Sequence, residues 1–252
     1  MFLLTNLAVH RCPRLLAFAV SAAPCGHCRQ FLQELRNPSS LQIHITSQHQ
    51  HNPDVTFEPL REILPNPFGP FDLLDDETPL LLERHNNGLS LSDEKQFDGD
   101  LCNGFSDDDS NTQSKIVNGV LKSGNGFYKN SETESTLVRI AALEAANDSH
   151  APYSGCPSGV AIMDCEGKIY RGSYVESAAY NPSLGPVQAA LVAFVAGGGG
   201  GYERIVAAAL VEKEGAKVKQ EDTARLFLKL VSPKCVLKVF HCYFAENGCK
   251  KD

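Results

Sequence analysis

Pro24-Cys25-Gly26-His27-Cys28 lies between an apolar run, Leu15 to Ser21, and an amphipathic stretch that begins at Arg29. Two cysteines at this spacing, at a strand-to-helix junction, put both thiols on the first turn of a helix. Free N–H groups and partial positive charge there favour the thiolate. Thiolates hold metals or attack disulfides. A hydrolytic zinc site needs three protein donors, an open position for water and a carboxylate nearby to move protons. The motif supplies two donors. A His-x-Glu or Cys-x-Glu, which would supply the third donor and the carboxylate, occurs nowhere in the 252 residues. His27 sits inside the pair's own loop and is badly placed to complete the set. His10 and Cys12 are conceivable third ligands, although a surface or core role is the expectation for each. Two merely buried thiols are the plain structural alternative.

The elements that must position this pair read as layered α/β structure. Phe2 to Leu7 is the tail of a helix, Leu15 to Ser21 a strand, and Arg29 to Arg36 a helix with apolar positions Phe31, Leu32 and Leu35. Leu41, Ile43 and Ile45 alternate with polar neighbours, as a half-buried strand does. Strand, turn, helix, strand implies parallel pairing. From Arg84 to Glu134 the chain is rich in Asn, Gly and Asp, so residues 84–134 are expected to be an acidic flexible linker. Its Asp107-Asp108-Asp109 run is read as a solvated charge run rather than a metal site.

A second folded unit, 135–252, follows the first, 1–83. It opens with a helix carrying Leu137, Ile140, Ala141, Leu143 and Ala145. Gly159 to Asp164 and Lys168 to Tyr174 form a hairpin about Cys165-Glu166-Gly167. A helix from Pro186 to Ala196 breaks at Gly197 to Gly201. No Lys-Ser or Lys-Thr follows that glycine run, so a loop is expected rather than a phosphate cradle. A strand from Ile205 to Glu212, a helix from Asp222 to Leu230 and a strand from Val236 to Phe244 complete the pattern.

Composition narrows the function classes. Apolar residues make up 42% and charged residues 21%, as in ordinary globular proteins. A net charge of −7 and a pI near 5.6 oppose a phosphate-binding surface, so no nucleic-acid partner is expected. No run of ~18 apolar residues is present, so no membrane span is expected. Leu15 to Ala23 only loosely resembles a signal sequence, because Arg11 and Arg14 follow ten residues of amphipathic pattern. Nine scattered cysteines do not form a disulfide framework, which implies a reducing, cytoplasmic setting. Asn147-Asp148-Ser149 matches a glycosylation triplet that has no meaning in such a compartment.

Cys-Gly-His-Cys after an apolar strand resembles the active site of the protein disulfide isomerase family. Against that resemblance, Ala23-Pro24 replaces an aromatic, tryptophan is absent, and nothing downstream reads as a cis-proline loop. A broader resemblance is to the cytidine deaminases, in particular the plant and bacterial homodimeric type with two tandem domains. Ser21-Ala22-Ala23-Pro24-Cys25-Gly26-His27-Cys28-Arg29-Gln30-Phe31 carries it. So do Phe2 to Leu7, Phe68-Gly69-Pro70, Ala151-Pro152-Tyr153-Ser154, Pro157 to Val160, Glu176 to Pro182 and Val211 to Glu214.

The resemblance implies an α/β fold of tandem three-layer αβα domains, the first of them incomplete. It implies zinc as cofactor and a pyrimidine nucleoside as substrate: cytidine or 2′-deoxycytidine is hydrolysed to the uridine nucleoside with release of ammonia. Cys25 and Cys28 match the two thiolate ligands, and Met1 matches the position just after a His-Ala-Glu triplet. The third ligand, the proton-shuttle Glu and the upstream Asn and Glu that hold the ribose are therefore expected to lie before this sequence, together with the first strands of the catalytic domain. The second domain is implied to be a metal-free copy. Gly185-Pro186-Val187 and Glu221-Asp222-Thr223-Ala224 stand where an active copy would carry its ligands, and Glu176 is read as a structural turn contact. Phe68 is implied to reach a partner subunit's pocket, or else to act as an aromatic staple between domains. The expectation is a family member with little or no activity, or a non-catalytic dimer partner of a full-length paralogue. A thiol-disulfide oxidoreductase using Cys25 and Cys28 is the rival reading.

Overall fold

In the computed structural model, residues 1–48, 55–91 and 131–244 are described. Two sheets organise them. The smaller has the order β1-β2-β3: β1 (Ala17–Val20) runs parallel to β2 (Gln42–Ile45), and β3 (Glu58–Pro59) runs antiparallel to β2. Around it lie α1 (Phe2–Val9), α2 (Gly26–Phe31) and α3 (Leu60–Ile63). Leu4, Phe31, Leu32, Leu35, Leu41, Ile43 and Leu60 form its core. The parallel β1–β2 pairing is the one expected from the strand-turn-helix-strand pattern.

The larger sheet has the order β4-β8-β7-β5-β6, made of β4 (Leu89–Leu91), β5 (Ser158–Asp164), β6 (Ile169–Ser173), β7 (Ile205–Lys213) and β8 (Val236–Phe244). β7 and β8 are parallel, and every other neighbouring pair is antiparallel. Side chains alternate across a strand, so each strand feeds two cores. Ala161, Met163, Ala209 and Val211 pack with α4 (Ser131–Asn147) on one face. Val160, Ile162, Ala208 and Leu210 pack with α5 (Pro186–Ala196) and α6 (Glu221–Val231) on the other. This is the expected αβα sandwich.

Two glycines set the close approach of its layers. A Cβ on Gly159 would lie 2.2 Å from the Ala146 nitrogen of α4. One on Gly172 would lie 2.1 Å from the Ala190 nitrogen of α5. Both helices therefore rest directly on strand backbone.

Two expectations need correction. Leu89–Leu91, within the segment 84–134 read as linker, is a strand paired with β8. Leu89 and Leu91 are buried against α4, and the Asn147 side chain at the end of that helix brackets Leu89. Its Oδ1 accepts the Leu89 N–H at 2.7 Å and its Nδ2 donates to the Leu89 carbonyl at 3.1 Å. Asn147, read from the sequence as part of a glycosylation triplet, is thus engaged within the fold. The Asp107 to Asp109 run lies outside the described residues. The second correction concerns α2, expected over Arg29 to Arg36. It starts at Gly26, directly after Cys25, and tightens into a 3₁₀ turn over Leu32–Glu34.

That 3₁₀ turn carries one of the contacts that join the two units. Glu34 is fully buried. Its backbone carbonyl accepts the Leu81 N–H at 3.0 Å. Its carboxylate crosses to the larger unit, where Oε1 accepts the Ala178 N–H at 2.7 Å. Oε2 accepts the Tyr153 hydroxyl at 2.7 Å and faces His150 Nε2 at 3.2 Å. Burial, and then the Glu34 charge, push the Tyr153 phenol well above its ordinary value.

A buried carboxylate is tolerated only when its oxygens are satisfied, and deleting it strands its partners. Glu34→Ala is expected to cost about 3 kcal/mol in urea unfolding, whereas Glu62→Ala on the surface of α3 stays within about 0.5 kcal/mol. A Glu34→Ala loss below about 1 kcal/mol would contradict the clamp. Gly172→Ala is expected to cost at least about 2 kcal/mol by forcing α5 off the sheet. Unchanged thermal stability would refute that close packing.

Candidate functional site: the Cys25–Cys28 loop

β1 ends at Val20, and Ser21 to Pro24 deliver the chain to α2. Cys25 caps that helix in extended conformation (φ −66°, ψ 170°), and its carbonyl accepts the Arg29 N–H at 3.0 Å. Arg29 braces the loop from behind: Nε donates to the Pro24 carbonyl at 2.7 Å and Nη1 to the Ile63 carbonyl at 2.9 Å. Cys25 is exposed and Cys28 half-buried. Donation by the Cys28 backbone N–H and the Cys28 thiol holds the Cys25 thiol below the ordinary cysteine value. Burial, and then the bond to Cys25, push the Cys28 thiol above it. Met1, at the start of α1, lies close enough to the pair for the Cys28 and Cys25 charges to act on its nitrogen.

The other candidates do not converge on this loop. His10 is exposed at the end of α1, Cys12 is half-buried beyond it, and His27 is exposed. Among the described residues, no group of three or more His, Cys, Asp or Glu is placed to hold a metal. The residues present therefore fit two positions of a tetrahedral zinc site and leave its third protein donor unfilled. Phe68 is 45% exposed, and Gln30 Nε2 of α2 donates to its carbonyl, tying the Phe68 loop to the cysteine helix.

The larger unit turns its acidic groups inward as structural acceptors. Glu176 Oε2 takes the Tyr153 and Ser154 N–H groups at 2.9 and 3.1 Å, the turn contact expected for it. Glu212 Oε2 takes the Gln220 N–H at 2.8 Å, where α6 begins. Gly185 opens α5 crowded by the Gln188 and Gln220 side chains. Sequence reasoning missed Glu34. Its one signal is a charge inside the apolar stretch Phe31-Leu32-Gln33-Glu34-Leu35, which could equally have been a solvated position.

Comparison with known proteins places this architecture. Residues 60–225 match the family model "Cytidine and deoxycytidylate deaminase zinc-binding region". That span covers most of the larger unit and leaves out Cys25 and Cys28. Over 97% of its length the chain is 52% identical to Cytidine deaminase 1 of Arabidopsis thaliana, covering 73% of that protein. It is 43% identical to Cytidine deaminase 6 of the same plant, over 96% of this chain and 73% of the relative. A shorter match, 58% identical over 44% of each chain, is to the plant protein named "Probable inactive cytidine deaminase 4". Zinc is the cofactor of the family whose model matches. On its sequence and its matched domain, the chain belongs to the cytidine deaminase family.

Proposed function

We propose that these 252 residues form a non-catalytic member of the cytidine deaminase family, a scaffold that presents half of a zinc site. One observation carries this reading: among the described residues, no third His, Cys, Asp or Glu joins Cys25 and Cys28 to complete a metal-holding group. When bound in a complete site, zinc supplies a hydroxide at neutral pH for attack on the pyrimidine ring. Two thiolates hold the ion poorly without the third donor. Lack of a positioned general acid–base removes a further factor of ~10²–10⁴ in rate. The residues of this chain orient the two sulfurs through Arg29 and exclude nothing else from the loop.

The two folded units 1–83 and 135–252 then divide the work, the first carrying the sulfurs and the second supporting them through Glu34. Val55, Phe57, Phe68, Phe71 and Leu73 are exposed apolar side chains. They favour association with a second copy or with a full-length paralogue, Phe68 leading into the partner's pocket. Free thiols at all seven described cysteines suit a reducing, cytoplasmic setting. Among the described residues no helix is long and apolar enough to cross a membrane.

The purified chain, freed of host deaminase, is expected to convert no cytidine or 2′-deoxycytidine above a blank. It is also expected to retain well under one zinc per chain by elemental analysis. Turnover at an ordinary enzymatic rate, about 1 s⁻¹ or faster, would overturn the reading. Sedimentation is expected to show a dimer that Phe68→Ala weakens. A strictly monomeric, folded chain would remove the association.

A further inference from the structure

We propose that Cys25 and Cys28 form a reversible intramolecular disulfide by exchange with a low-molecular-weight disulfide, and that the oxidised loop cannot hold a metal. This inference stands on the loop's own geometry and is separate from the deaminase reading. Cys25 caps α2 and Cys28 stands three residues on in its first turn, so both side chains belong to one end of a helix whose loop Arg29 braces. Cys25 is exposed, whereas Cys28 is half-buried behind it. A Cβ built on Gly26, the residue between them on the outer side, meets nothing within 4 Å. A small disulfide thus has an open approach to Cys25, and Cys28 can reach the Cys25 sulfur from within.

The exchange has two balanced steps. The Cys25 sulfur attacks one sulfur of the small disulfide, a new S–S bond forms, and one small thiol leaves with a proton. The Cys28 sulfur then attacks the Cys25 sulfur, breaks that mixed disulfide, and releases the second small thiol with its proton. Two electrons pass from the cysteine pair to the small disulfide, which is reduced to two thiols. The reverse reaction restores the pair.

The remaining described cysteines give the internal contrast. Cys156 and Cys242 are buried. Burial raises the Cys235 thiol to about 11 and the Cys242 thiol to about 11, which disfavours exchange at both. Cys165 is exposed and has no cysteine at this spacing, so it can form only a mixed adduct. In the oxidised loop both sulfurs are spent, and neither is a thiolate ligand.

The test equilibrates the full chain with glutathione buffers of rising disulfide fraction, quenches with acid, alkylates and maps the peptides by mass. The expected product is a Cys25–Cys28 peptide two hydrogens lighter than the dithiol, recovered to the dithiol by excess reduced glutathione. Cys165 should carry alkyl groups or a glutathione adduct instead. Cys28→Ser is expected to stop the reaction at a glutathione adduct on Cys25. Zinc added to the oxidised chain should remain wholly available to a chromophoric chelator. A wild-type chain that keeps both thiols alkylatable in every buffer would overturn the proposal. So would one that accumulates a lasting glutathione adduct on Cys25 with Cys28 intact.

Discussion

A fully buried carboxylate, Glu34, is the constraint on which the rest of the arrangement depends. It sits at the end of the 3₁₀ turn that continues the cysteine helix, and its oxygens take their partners from the other sheet's unit. Removing such a charge from water costs several kcal/mol unless hydrogen bonds replace the lost hydration. Ala178 N–H, the Tyr153 hydroxyl and His150 provide that replacement. The orientation of α2, and with it the spacing of Cys25 and Cys28, is therefore set partly by residues of the larger unit. The smaller sheet contributes its own core of Leu4, Phe31, Leu32, Leu41, Ile43 and Leu60, and Val175 of the larger unit packs into it.

In the larger unit, buried acids serve the fold. Glu176 and Glu212 are buried acids that accept backbone N–H groups and hold turns and helix starts. Each is committed to structure through its Oε2. The strands and helices around them form two dry cores on opposite faces of one sheet. Gly159 and Gly172 let those layers approach at backbone contact. Glu34 joins the two halves together with α1, which packs on α5 and β6, and Val175, which enters the smaller unit's core.

The larger unit was legible in the sequence because its elements are long and strongly periodic. The helix at 186–196 begins at its proline and ends at its glycine run, and the hairpin turns at Cys165-Glu166-Gly167. The Cys-x-x-Cys loop and its strand were legible for the same local reason. β4 was not, since three residues with one polar centre carry no periodic signal, and their Asn-Gly neighbours read as loop. Glu34 was hidden more deeply. Its partners lie 116, 119 and 144 residues away along the chain, and no local pattern announces a pairing at that distance.

Native-state hydrogen exchange on the intact chain tests the central claim, that Glu34 makes the cysteine helix and the larger sheet open as one body. The Leu81 amide reports the main-chain side of Glu34 and the Ala178 amide its carboxylate. The two are predicted to exchange with the same opening free energy in the wild type. In Tyr153→Phe both should fall together by about 1–2 kcal/mol. A Leu81 amide whose protection is unchanged while Ala178 loosens would show that the two halves open independently, and would contradict the account.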